Sequence, residues 1–412
     1  MDFFEFLDSA VTPFHTVSEL KKAFEKAGFG KDSVFERNGA LIAVRLPRKV
    51  NSNTRFRIAL AHTDFPALRI SPNPDKNCAG VNKLHVETYG GLLYTSWLDR
   101  DLGYAGLLAF EKDGQVGSRL IRGSKLFRIP QLAIHLNRGV NQDGLKVNPQ
   151  TDLDALWSSS SSAADASRKF ADVLQAELGG DEHLLDFDVQ FFDAQPASVG
   201  GFNDEWVYSG RLDNLSSCHA IAEAMLNSDV PENDFLVAAF MNNEEVGSVS
   251  RDGAGGNFLQ STLETLWNRY AQNGGVGRSL SEVLADSLAL SIDMAHAEHP
   301  NFPQKHESNH APVLGGGVVL KTNAQKRYAS DVLSSAQFKL LCKKADVPYQ
   351  TFITRNDMPC GSTVGPTISA SLGIPTVDIG EPMLSMHSIR EMIASKDHVG
   401  LISLLKIFLG KF

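Results

Sequence analysis

The sequence predicts an α/β chain that carries its chemistry at strand ends and is interrupted by a β-rich block. Three observations point there. Short apolar runs at 56–61 (FRIALA), 235–240 (FLVAAF) and 288–292 (LALSI) are each followed closely by a histidine or an acid. Helix-spaced patterns separate the later runs. Residues 76–199 instead show β-like segments punctuated by glycine and asparagine. Open α/β sheets place their chemistry at the carboxyl ends of the strands.

Taken in order, residues 3–8 (FFEFLD) predict a short amphipathic helix. Thr16-Val17-Ser18-Glu19 reads as a capping box opening a second helix, with Leu20, Phe24 and Phe29 facing the core. Val34–Glu36 and Leu41–Leu46 predict strands, and Phe56–Ala61 a stronger one delivering His62 and Asp64. In the β-rich block, His85–Thr88, Leu92–Ser96, Leu132–Asn137 and Phe187–Phe192 read as strands. The serine run Ser158–Ser162 reads as an exposed loop, followed by a helix over 163–177. The block separates His62 from the next candidate acid, so it is an insertion into a domain formed by 1–75 and 200–412. After Gly200, helices are predicted over 216–225, 258–270, 331–344 and 398–409. Strands are predicted over 235–240, 288–293, 318–323, 349–353 and 376–379.

The chain has 412 residues and a formal net charge of −9, which argues against a non-specific nucleic-acid binder. No run approaches the roughly 18 apolar residues of a membrane span. The acidic start, MDFFEFLDSA, lacks the basic region of a signal peptide, so a cytoplasmic location is expected. Cys78, Cys218, Cys342 and Cys360 are widely spaced and form no CxxC pair, which suits a reducing compartment.

The chemistry centres on Asn242-Asn243-Glu244-Glu245-Val246-Gly247-Ser248. Two adjacent glutamates after a buried strand are costly unless a cation neutralises them. His62 with Asp64, Asp213, Asp293 and His387 supply further donors. Each has a plainer reading alone: a strand-end pair, a helix N-cap for Asp213, a core histidine for His387. Together they suit two zinc-like ions. One ion would take His62, Asp213 and Asp293; the other would take Asp213, Glu245 and His387. Asp64 would hold the imidazole tautomer, and Glu244 would accept the proton of an activated water. There is no HExxH helix, GxSxG elbow or P-loop.

At these residues the chain resembles the aspartyl aminopeptidase family of dinuclear zinc aminopeptidases. The likeness runs through AHTD (61–64), IHLNR (134–138), SGRLDN (209–214), NNEEVGS (242–248), DMAHAEHPN (293–301), Lys321 to Tyr328, RNDMPCGSTVGP (355–366) and PMLSMHSIRE (382–391). It implies a mixed-sheet α/β/α catalytic domain with an inserted β-rich dimerisation domain at 76–199. It also implies release of single N-terminal residues, Asp or Glu first, from peptides. Two zinc ions are implied, with cobalt or manganese as alternatives, in a homo-oligomer that is a dodecamer built from dimers. His135 would reach a neighbouring subunit's active site; a polar strand residue and a direct metal ligand are its other readings. His296, Lys321 and Tyr328 would line the substrate pocket, with Lys321 facing an acidic side chain. Phe65 and Met358 stand where the family has small residues, which leaves neutral or apolar N-terminal residues open. A non-catalytic scaffold and a dimetal deacylase of N-acyl amino acids are the other functions considered.

Overall fold

The computed structural model describes residues 1–274 and 276–410, in two compact units. The first unit comprises Met1–Asp64, Ala197–Met386 and Glu391–Phe412; the second comprises Phe65–Pro196 and His387–Arg390.

The first unit is built on a mixed eight-stranded sheet. Its strand order is Val34–Arg37, Ala40–Arg45, Phe235–Met241, Phe56–His62, Leu288–Ile292, Thr376–Gly380, Val318–Lys321, Tyr349–Phe352. The four central strands are parallel: Phe235–Met241 pairs with Phe56–His62, that strand with Leu288–Ile292, and that one with Thr376–Gly380. They are mostly apolar because helices cover both faces, with Asp378 a buried acid among them. Phe56, Ile58, Leu60, Val237, Ala239 and Met241 pack on Phe258, Leu263 and Trp267 of the helix Phe258–Gly274 and on Val364 and Ile368 of Val364–Leu372. The helix Leu212–Leu226 covers the opposite face. Since the central strands run together, their carboxyl ends deliver His62, the 242–248 turn and Asp293 to one edge.

A five-stranded sheet in the same unit joins Ser198–Gly200, Trp206–Ser209, Glu391–Ala394, Pro382–Leu384 and Ala295–His296. Its short strands lie far apart in sequence, and local pattern does not reveal them. The second helix also begins earlier than the Thr16 capping box predicts. It spans Pro13–Lys26, with Thr12 as N-cap and Pro13 at its first position. Pro13 presets the helical φ, and the Thr12 hydroxyl takes the His15 amide. Thr16 is already inside the helix, its hydroxyl donating to the Thr12 carbonyl.

The second unit is a six-stranded antiparallel sheet ordered Gln115–Arg122, Leu102–Lys112, His183–Asp193, Ala67–Cys78, Val81–Tyr89, Ala155–Ser159. Tyr104, Phe127, Phe170 and Phe191 form its aromatic centre. Two predicted strands are absent. Leu92–Ser96 runs into a 3-10 turn, Tyr94–Trp97, anchored by buried Trp97. Leu132–Asn137 contains another, Ile134–Leu136, with no buried residue to hold a strand face. The predicted helix over 163–177 breaks into Ala163–Ala166 and Phe170–Gln175. Buried Phe170 fixes the second piece, and its amide is capped from outside by Asp75. Ser158 and Ser159 of the serine run belong to a strand. Among the described residues, no helix is long and apolar enough to cross a membrane.

Behind the first unit's sheet, His219 sits 2.9 Å from His398 Nε2, and His398 Nδ1 sits 2.9 Å from Glu381. Burial, and then the His398 charge, push His219 down from 6.5 to about 4. The folded chain therefore binds fewer protons there than the unfolded one. Stability should rise with pH across that window and be lost as pH falls, by at most about 1.4 kcal/mol per pH unit from this group. His219→Gln should flatten the slope of Tm against pH between these values; an unchanged slope would point to another group.

Candidate metal centre

His62 closes the strand Phe56–His62, and its ring is buried. Nδ1 lies 2.9 Å from the Asp64 main-chain carbonyl, whereas the Asp64 carboxylate is 3.6 Å away. The backbone of Asp64 therefore sets the ring. A proton on Nδ1 donates to that carbonyl and leaves the Nε2 lone pair for a cation. Nε2 faces Asp213 Oδ1 at 3.4 Å and Asp293 Oδ1 at 3.3 Å.

The Asp64 carboxylate has a different task. Oδ1 accepts the Glu244 amide at 3.0 Å and Oδ2 accepts the Glu245 amide at 3.1 Å. It thus caps the 3-10 turn Glu244–Val246. Left-handed Asn243 enters this turn and Gly247 leaves it at φ +96°, a conformation glycine adopts without strain. Asp213 is not the N-cap its sequence position suggests. It follows left-handed Arg211 at the start of Leu212–Leu226 with extended φ and ψ, and its amide donates to Glu391 at 3.0 Å. Asn214 donates to the Ile292 carbonyl at 2.8 Å, and Cys218 to the His62 carbonyl at 3.0 Å, tying this helix to both donor-bearing strands.

Among the described residues, ligand atoms of His62, Asp213 and Glu245 all lie within 4.8 Å of one another. Asp293 joins through His62. Its Oδ1 also accepts the Met294 amide at 2.8 Å, and its Oδ2 is 3.5 Å from Lys321 Nζ. Five carboxylates, Asp64, Asp213, Glu244, Glu245 and Asp293, thus crowd one imidazole. Titration reflects the crowding. Burial alone would lower His62, but the Asp213, Asp293 and Asp64 carboxylates, as acceptors for its ring N–H, raise it well above 6.5. Burial and then the surrounding charges push Glu244 up to about 8 and hold Glu245 well above its ordinary range. Burial opposes ionisation of Asp293, yet Lys321 and His62 hold it low.

The remaining predicted site residues are placed as follows. Lys321 is 2% exposed, with Nζ donating to the Met294 carbonyl at 2.9 Å and lying 5.4 Å from the Tyr328 ring centre. A cavity of about 260 Å³ is lined by His296, Tyr328, Phe352, Arg355, Met358 and Met383, among others; Lys321 does not line it. His135 lies exposed in the turn Ile134–Leu136 of the second unit. His387 belongs to the 387–390 segment of that unit, with Nδ1 2.9 Å from the Gly91 carbonyl. Glu391 and Asn214 were missed by sequence reading. The available signal for Glu391 was an acid opening the apolar run Met392–Ala394.

Residues 6–409 match the family model described as aminopeptidase I zinc metalloprotease (M18). The chain belongs to the M18 peptidase family. This M18 chain is accordingly a zinc metalloaminopeptidase, a hydrolase. A probable M18 family aminopeptidase 2 from Pseudomonas aeruginosa (strain UCBPP-PA14) is 41% identical over 422 residues, covering 98% of this chain and 96% of that protein. A cryo-EM structure of the Ape4 and Nbr1 complex is similar at TM-score 0.91 and 33% identity, covering 99% of this chain and 85% of that one. The S. cerevisiae mApe1 dodecamer structure is similar at TM-score 0.82 and 28% identity, covering 98% and 95%.

The M18 donor set fits zinc. One imidazole nitrogen and carboxylate oxygens converge in a buried, negatively charged site, and zinc takes both ligand types. Zinc should therefore stabilise the fold as well as serve catalysis. Removing it with a chelator should lower Tm, since a ligand at 100 times its Kd contributes about 2.7 kcal/mol. Zinc should restore the lost stability, and Glu245→Ala should bind less zinc by elemental analysis. Identical Tm values with and without chelator would contradict a structural contribution.

Proposed function

We propose that this M18 aminopeptidase releases single N-terminal Asp or Glu residues from peptides, using a pair of zinc ions and Glu244 as general base. The carrying observation is the division between the two glutamates. Glu245 groups with His62 and Asp213, while Glu244 lies outside that group on the same turn. Adjacent side chains thus suit two tasks, one holding a cation and the other a proton. His62, Asp213 and Asp293 would hold one ion, and Glu245 would share Asp213 with the other. Bound zinc supplies Lewis acidity toward water and the scissile carbonyl.

The chain's own groups do the rest. Asp64 fixes the turn through both amides, so the Glu244 carboxylate approaches the reacting water from a set direction. Glu244 takes the water proton and returns it to the departing amine. Tyr328 and His296 line the adjoining cavity, which supports their reading as substrate contacts.

Lys305 lines that cavity and supports an acidic preference, while Glu307 lines it too and Asp357 already takes the charge of Arg355. Lys321 is less suited to read the substrate, because Asp293 already takes its charge. Phe352, Met358, Met383 and Met386 line the same cavity and favour the second reading, a neutral or apolar N-terminal residue. We further propose a homo-oligomer, on the likeness to the mApe1 dodecamer.

Glu244→Gln should lower kcat by about 10²–10⁴-fold with zinc content unchanged; full activity would remove Glu244 as the base. In a panel of aminoacyl chromogenic substrates, kcat/KM for Asp and Glu should exceed that for Leu and Met by about tenfold or more. The reverse order would establish the apolar reading.

A further inference from the structure

The motif 355–366 and the stretch ending at Tyr328 both flank the cavity and supply its proposed substrate contacts. They meet at one buried side chain. Asp378, on the central strand Thr376–Gly380, is fully buried. Its Oδ1 accepts the Thr363 hydroxyl at 2.6 Å, and its Oδ2 accepts the Ala329 amide at 2.6 Å. Its own amide donates to Ser330 Oγ at 2.9 Å. Ala329 and Ser330 directly follow Tyr328. Thr363 caps the helix Val364–Leu372 and ends the segment that contributes Arg355, Met358, Pro359 and Gly361 to the cavity. A Cβ on Gly365 would come within 2.4 Å of the carboxylate, so only glycine admits it this close to the helix start. On the outer side the two segments are joined by Arg327 to the Cys360 carbonyl at 3.2 Å and Ser362 to the Arg327 carbonyl at 3.1 Å. Those links bind the segments to each other; Asp378 ties both to the sheet.

We propose that Asp378 is a positioning residue that fixes Tyr328 and the 355–361 wall of the substrate cavity to the central sheet. The inference rests on the aminopeptidase reading for its kinetic consequence, but not for the anchoring itself. Both carboxylate oxygens are used, one for each segment. An amide at this position could accept the Ala329 N–H and turn its NH₂ to the Thr363 hydroxyl, but it carries no charge and would weaken both charge-assisted contacts. Losing the anchor should loosen the cavity walls while leaving His62, Asp213 and Glu245 in place. Substrate binding should suffer more than turnover.

The test is Asp378→Asn in the full chain, read by hydrogen exchange and by kinetics on a chromogenic substrate the wild type cleaves. Exchange should quicken in 327–331 and 355–363, and KM should rise about tenfold with kcat within about twofold and zinc content unchanged. Thr363→Val removes one arm and should reproduce the KM effect in part, whereas Thr363→Ser should restore wild-type values. If Asp378→Asn does not fold, the Thr363 pair carries the same comparison. Unchanged exchange in both segments overturns the anchoring, and a fall in kcat at constant KM reassigns Asp378 to the metal side. Quickened exchange alongside a wild type inactive on every substrate would support the anchor and defeat the aminopeptidase reading.

Discussion

Mutual repulsion among buried carboxylates is the constraint around which the first unit is arranged. Asp64, Asp213, Glu244, Glu245 and Asp293 surround one imbedded imidazole, with Lys321 the nearby ammonium. Such a cluster cannot be fully ionised in a low-dielectric interior without positive charge. Without a cation, the neighbouring carboxylates favour the protonated form of His62, and burial favours those of both glutamates. A dication meets the same need at a smaller cost, because it can sit between several oxygens at once. Zinc chemistry and charge balance are therefore two aspects of one requirement.

The sheet makes the crowding possible. Four parallel strands end at one edge and bring together residues separated by more than two hundred positions in sequence. Backbone groups then absorb much of the charge. Asp64 takes two amides, Asp293 takes the Met294 amide, and Glu391 takes that of Asp213. The acids are thus oriented by main-chain atoms, which move less than side chains do. Function at the cavity depends on the same logic, since Asp378 uses the sheet as the reference for two loops.

Much of this was legible in the sequence where local pattern and tertiary role coincide. The runs 56–61, 235–240 and 288–292 are too apolar to be anything but buried, and the polar residues that end them could be recognised as a set. The Glu244-Glu245 pair stood out for the same reason. Pattern failed where a distant residue decides local structure. Phe170 breaks a helix because the aromatic centre of its unit requires it there. Leu132–Asn137 alternates like a strand but has no sheet beside it. The pairing of Ala295–His296 with Pro382–Leu384 joins fragments too short to carry a signal. The family likeness implies that Lys321 faces a substrate acid, whereas its partners in the fold are Asp293 and the Met294 carbonyl, which no local pattern reveals. Asp378 and Glu391 passed unnoticed because single acids in short strands usually face solvent.

One detail of the Asp64 cap has a wider meaning. Both glutamate amides hang from a single carboxylate, so the turn behaves as one bracket carrying two tools. Thermal drift of that bracket carries the Glu244 and Glu245 main chain together, so the proposed ligand and the proposed proton acceptor start from points that move in step. Registration between the two roles is therefore a property of the mount, and the rigidity of the remaining loop matters correspondingly less.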